Sequence, residues 1–256
     1  VTDDPAPSRP RRRIRRTLTW AFGGLGTLLV ATVAGVLIWG QVGVMAAEPG
    51  PLDAVRADTA ITVDEQAGAI VLSPASGSSE VGLVFIPGAK VEPIAYAARL
   101  SGLVDDGITV VITRPWYNLA FLDPRPLDAF TSLAPGLETW MVGGHSLGGV
   151  RACQLATDAD ALVLFASYCA TDLSATGLPV LSIGGSEDGL STPAKIRDAA
   201  PLLPAGAEFV EIDGASHASF GAYGAQAGDG TPTIGGAEMT ERVTAFVTDF
   251  AASLPR

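Results

Sequence analysis

The stretch MVGGHSLGG, residues 141–149, sets a histidine and a serine between two glycine pairs, directly after an apolar run. An ordinary tight turn uses glycine for its left-handed backbone. A nucleophile mounted on a strand-to-helix reversal uses it for another reason: the turn is so sharp that side chains beside the serine clash. Gly144-His145-Ser146-Leu147-Gly148 has the form G-x-S-x-G. That form carries weight when a strand precedes it and a helix follows. TWMVGG (139–144) is strand-like, and SLGGVRACQLATD (146–158) has helical spacing. The helix start then aims backbone N–H groups at negative charge developing on a substrate.

Outward from this turn, strand-like and helix-like segments alternate. AITV and GAIVLSP are short β-rich runs around a turn, and VGLVFIPG (81–88) reads as a strand buried on both faces. Helical spacing over 92–107 and the strand ITVVITR (108–114) come before the elbow. After it follow the strand ALVLFAS (161–167), the strand PVLSIGG (179–185) and a helix over 192–203. The strand AEFVEIDG (207–214) and an amphipathic helix over 236–254 close the chain. Such alternation specifies an α/β fold, a mostly parallel sheet with helices on both faces. Ligands bind such sheets at the carboxyl ends of the strands. Functional residues are therefore sought just after each strand.

A serine hydroxyl needs a base at neutral pH. The chain has two histidines. His145 adjoins the serine along the backbone, so its side chain is expected to point away and pack beside the turn. His217, in the late loop IDGASHASFG, is by elimination the base. A carboxylate between the two in chain order completes a triad. LSIGGSEDG offers Glu187 or Asp188, and the shorter side chain favours Asp188. The oxyanion donors expected are the backbone N–H of Leu147 and that of Ala89, on the turn IPGAK. Lys90 beside it either meets an anionic group or is solvated. Trp116, Tyr117 and Phe121, after the strand 108–114, either line an acyl pocket or pack on the sheet edge. No metal or cofactor is expected.

The 256 residues carry a net charge of −11. Six arginines among residues 9–16 leave the part after residue 45 far more acidic, which disfavours a nucleic-acid partner. Trp20 to Trp39 contains no charge and reaches about 28 Å as a helix, close to bilayer thickness. We expect a cytoplasmic basic segment (1–17), a transmembrane anchor (18–45), a stalk (46–59) and a monomeric catalytic domain (60–256) outside the cytoplasm. A cleaved signal peptide is the alternative, and the length of the apolar run favours the anchor. Cys153 and Cys169 either form one bridge, which an extracytoplasmic location permits, or are two buried thiols. The thiols are the reading favoured, because one cysteine sits down a helix and the other beyond a strand top.

With GGHSLGG as elbow, GGSEDG as acid turn and GASHASFGAYGAQAGDG as histidine loop, residues 60–254 resemble the α/β-hydrolase fold family. More narrowly, FIPGAKVEP, ASYCATDLS and YGAQAGDG resemble a bacterial, often membrane-anchored serine-hydrolase branch. The resemblance implies Ser146, Asp188 and His217 as the triad and hydrolysis of an ester or amide. The serine departs from the cysteine of dienelactone hydrolases and the aspartate of haloalkane dehalogenases. Roughly eleven residues separate ALVLFAS from PVLSIGG, too few for a helical cap. An open site for a small-molecule or lipid-like acyl substrate follows. Acyl transfer to an envelope acceptor, or a non-catalytic scaffold binding an envelope partner, are the competing functions.

Overall fold

The computed structural model describes residues 11–77 and 80–255. The chain divides into two compact units, residues 1–42 and 43–256. The first is represented by helix α1, Arg11–Gln41, which contains a 20-residue apolar run, Phe22–Gln41, long enough to cross a membrane. The helix runs unbroken through the boundary expected at residue 17 and ends before 45. Residues 1–10 of the basic segment lie outside the described residues.

The second unit contains, in chain order, α2 (Pro49–Ala57), β1 (Ile61–Glu65), β2 (Ala69–Pro74), β3 (Val81–Ile86) and α3 (Ala97–Asp105). Then come β4 (Thr109–Thr113), α4 (Asp128–Thr131), β5 (Thr139–His145), α5 (Leu147–Leu155) and β6 (Ala161–Phe165). β7 (Val180–Gly185), α6 (Pro193–Ala199), β8 (Glu208–Ile212) and α7 (Gly236–Ser253) complete it. The strands form one sheet in the order β1-β2-β4-β3-β5-β6-β7-β8. β1–β2 and β2–β4 pair antiparallel, and the other pairs are parallel. The central strands are apolar throughout because both faces are covered. Leu83, Phe85, Val110, Ile112, Met141 and Val163 join the core under α3 and α7. Their neighbours Val84, Ile86, Val111, Val142 and Leu162 join the core under α5, so each strand alternates between two layers.

The strand order reverses at β3. The chain lays β4 on one side of β3 and then crosses to lay β5 on the other. In register, Ile86 of β3 pairs with Gly144 of β5. The turns after these two strands are therefore neighbours at the carboxyl edge of the sheet, where an open α/β sheet offers its binding crevice.

Two expectations are corrected. Residues 46–59 are not a free stalk. Met45 forms a parallel bridge with Val91, its amide donating to Lys90 O at 2.7 Å, and Glu48 N–H reaches Ala222 O at 2.8 Å. α2 then buries Val55 and lays Leu52 against the core. Its amphipathic spacing was hidden among prolines, which a helix tolerates in its first turn. Cys153 and Cys169 are not free thiols either, but a disulfide with Cα atoms 5.6 Å apart. The chain leaving β6 folds back over α5, which brings a residue beyond a strand top against one inside a helix. Closing a loop of 16 residues restricts the unfolded chain by about 3 kcal/mol.

A chain beginning at Thr59 lacks α2 and the Met45 pairing. Burial of Val55 and part burial of Met45 and Leu52 are together worth at least about 3 kcal/mol. Its urea midpoint is expected well below that of a chain beginning at Gly43. Equal midpoints would show that residues 43–58 add nothing to the fold.

Candidate active site

Ser146 sits at φ 54°, ψ −126°, a backbone region that L residues avoid at a cost of about 1–3 kcal/mol. Hydrogen bonds on both sides of the residue hold it there. Ser146 N–H donates to Phe165 O at 3.1 Å, while Ser146 O accepts from Ser167 Oγ at 2.7 Å and from Gly149 N–H at 3.0 Å. The glycines follow from close packing. A Cβ at Gly144 would lie 2.5 Å from the carbonyl carbon of Gly148, and one at Gly149 would lie 2.4 Å from Ser167 Oγ. A Cβ at Gly148 would lie 2.0 Å from Ile86 O, where β3 runs under the elbow. Because backbone cannot move aside cheaply, Gly148→Ala is expected to cost several kcal/mol in unfolding titrations. A wild-type midpoint for that variant would contradict this packing.

The crossing at β3 brings Pro87-Gly88-Ala89 beside the elbow. Gly88 N–H is already used, donating to Tyr96 Oη at 3.0 Å. Among the described residues, Ala89 N–H and Leu147 N–H have no protein acceptor. Leu147 N–H is also one of the unpaired amides of the first turn of α5. Lys90, at φ 59°, tightens the turn, and its N–H donates to Asn118 O at 2.9 Å. That bond ties the turn to the loop carrying Trp116, Tyr117 and Phe121, three side chains half or nearly half exposed. They are therefore not packed away on the sheet edge.

Asp188 and His217 meet. Both are buried, and His217 Nδ1–H donates to Asp188 Oδ2 at 2.9 Å. The carboxylate is aimed by its own turn, since Oδ1 accepts from Leu190 N–H at 2.8 Å and Ser191 N–H at 2.7 Å. Glu187 is exposed, and its carboxylate accepts from Ser186 Oγ at 3.4 Å. With Nδ1 carrying the proton, Nε2 of His217 presents a lone pair. This buried atom has no hydrogen-bond partner among the described residues.

His145 packs beside the elbow, as its place beside Ser146 suggested, but it also bridges three segments. Its Nε2 lies 3.1 Å from His217 O and its Nδ1 lies 2.8 Å from Tyr96 Oη. A carbonyl only accepts, so Nε2 carries the proton and Nδ1 accepts from the tyrosine hydroxyl. The bonds run Gly88 N–H to Tyr96, Tyr96 O–H to His145, and His145 N–H to the backbone of His217. Burial, and then the neighbouring His217, hold the His145 imidazole well below its ordinary pKa. Burial first of all raises the Tyr96 phenol well above its own. Both links stay neutral across physiological pH. Tyr96→Phe leaves Gly88 N–H and His145 Nδ1 without partners, at about 1–3 kcal/mol each. Any hydrolytic kcat/KM is expected to fall about tenfold or more, and an unchanged value would remove the network from catalysis.

Sequence reasoning missed Tyr96, Ser167 and Asp229, the last a carboxylate that accepts from the backbone of His217. A signal existed only for Asp229, isolated between glycines in AGDG. Among the described residues, no group of three or more His, Cys, Asp or Glu is placed to hold a metal ion.

A sequence profile of the alpha/beta hydrolase family matches residues 82–241, more than half of the chain. No curated protein matches the sequence. Among solved structures, the esterase domain of a Rhodothermus marinus protein is 14% identical, with a TM-score of 0.56 over 76% of this chain and 99% of that one. MGS-MChE2, an alpha/beta hydrolase enzyme from the metagenome of Mar Chica lagoon sediments in Morocco, is 17% identical at a TM-score of 0.53, covering 75% and 98%. An alpha-beta serine hydrolase homologue from Coxiella burnetii is 14% identical at 0.51, covering 74% and 97%. At these identities the likeness is one of fold.

Proposed function

The chain belongs to the alpha/beta hydrolase family, and on that premise we propose that it is a serine hydrolase cleaving carboxylic esters through an acyl-enzyme on Ser146. One observation carries this function: the buried Asp188–His217 pair lies against the residue preceding a strained, glycine-packed serine. The imidazole rings of His145 and His217 are 4.4 Å apart, which supports His217 as the base.

In this mechanism Ser146 Oγ attacks the ester carbonyl while Nε2 of His217 takes its proton. Asp188, bonded to Nδ1, fixes the tautomer and stabilises the imidazolium that forms. The carbonyl oxygen becomes an oxyanion between Ala89 N–H and Leu147 N–H. Collapse of the tetrahedral adduct breaks the ester C–O bond, and His217 returns the proton to the departing alkoxide. Water, deprotonated by His217 in turn, then releases the acid and restores Ser146.

Residues 166–179 join β6 to β7 without a helix, so the crevice has no cap there. With Trp116, Tyr117 and Phe121 exposed on the tied loop, this favours a small-molecule or lipid-like acyl ester. We further infer that α1 anchors a monomeric domain outside the cytoplasm. The arginine-rich segment before the apolar run supports that orientation. The disulfide supports it too, because such bonds persist in oxidising compartments.

Replacing Ser146 or His217 by alanine is expected to remove most activity on p-nitrophenyl esters, about a thousandfold or more. The double variant should be little worse, because triad members act as a unit. Asp188→Asn should be severe and Glu187→Gln mild. Full activity in Ser146→Ala would end the proposal, and a more damaging Glu187→Gln would reassign the acid.

A further inference from the structure

Asp229 makes contacts that the triad alone does not explain. Its Oδ1 accepts from His217 N–H at 3.0 Å, Gly189 N–H at 3.1 Å and Gly230 N–H at 2.7 Å. Its Oδ2 accepts from Ala218 N–H at 2.8 Å. These donors belong to three segments: the acid turn next to Asp188, the base's own backbone, and the glycine after Asp229. His217 and Ala218 open a single 3₁₀ turn, His217–Phe220, whose first amides have no partner within the turn.

The segment around Asp229 is built to reach this position. A Cβ at Gly230 would lie 1.8 Å from Glu187 O, and one at Gly189 would lie 2.8 Å from Gly228 O. Residues 228–230 thus lie flat on the acid turn, with glycine on both sides of the contact. His217 is consequently held twice. Asp188 grips its imidazole, and Asp229 grips its main chain and fastens that to the turn bearing Asp188. Burial opposes the charge on Asp229, but the N–H bonds from Ala218, Gly189 and His217 outweigh it and keep the carboxyl below its ordinary pKa.

We propose that Asp229 is a positioning residue of the triad, a second carboxylate that fixes the distance between the acid turn and the base. This rests on the assignment of Ser146, His217 and Asp188 above. Errors near 1 Å in such placement cost orders of magnitude in rate. Asp229 touches neither substrate nor reacting atoms, so its effect belongs in kcat.

The test uses the detergent-solubilised full chain, wild type, Asp229→Asn and Asp229→Glu, with active sites counted by fluorophosphonate titration. Asparagine keeps the shape but turns an amino group toward N–H donors and removes the charge. Per titrated site, Asp229→Asn is expected to lower kcat about 10- to 100-fold with KM within about threefold. Asp229→Glu keeps the charge without the fit, so its kcat per site should also stay low.

If kcat per site is unchanged in Asp229→Asn, and only the titratable fraction or the melting temperature falls, Asp229 is merely structural and the proposal fails. If both variants fold too poorly to titrate, Gly230→Ala decides, because it keeps both carboxylates but pushes the Asp229 segment off the acid turn at Glu187 O. A fall in kcat per titrated site with KM near the wild-type value supports positioning, and an unchanged kcat overturns it. A wild-type chain that neither hydrolyses esters nor takes the phosphonate overturns the triad assignment itself, a result distinct from a normal wild type with a normal Asp229→Asn.

Discussion

Gly148 lies on the end of β3 with no room for a side chain, its missing Cβ being 2.0 Å from one β3 carbonyl oxygen and 2.4 Å from that of Pro87. This contact is where the sheet, the elbow and the turn carrying Ala89 N–H become one object. It requires β3 and β5 to be neighbours, which in turn requires the chain to cross β3 after β4. It requires α5 to start at once after β5, which forces Ser146 to a positive φ. The strain at one residue is held by packing over many, and the serine hydroxyl cannot retreat into a relaxed turn.

Around that contact the site is cross-braced by short polar links. Tyr96 and His145 connect the turn after β3 to the backbone of His217. Asp188 and Asp229 connect the acid turn to the same histidine. Ser167 connects the loop after β6 to the Ser146 carbonyl, and the disulfide two residues on fastens that loop to α5. Turns that are distant in sequence thus converge on His217 and Ser146. Apart from the exposed Gly189–Asp229 bond, these links are buried or partly buried, so each is worth more than a solvated hydrogen bond and costs more when broken.

What could be read in advance divides along physical lines. Local patterns were sufficient for the strands, because apolar runs ended by Pro-Gly or Gly-Gly leave few alternatives. They were sufficient for the elbow, because glycine pairs flank a serine between strand and helix. With two histidines and one acid turn after the elbow, the Asp188–His217 contact was also open to elimination. Tertiary approaches were not legible. Cys153 and Cys169 look separated until the chain after β6 is seen to fold back on α5. Residues 49–57 look like a proline-rich spacer until Val55 is seen in the core. Tyr96 lies where a helix was expected from apolar spacing, and nothing local says that its hydroxyl reaches an amide after β3. Asp229 is marked locally by its two flanking glycines, but nothing local says which N–H groups converge on it.

The central claim is that this fold presents one activated nucleophile. The most direct measurement is to treat the folded chain with a fluorophosphonate and locate the adduct by peptide mass spectrometry. The account predicts one adduct per chain, on Ser146, and none when His217 is alanine. An adduct on any other residue, or labelling of Ser146 that is indifferent to His217, would contradict it.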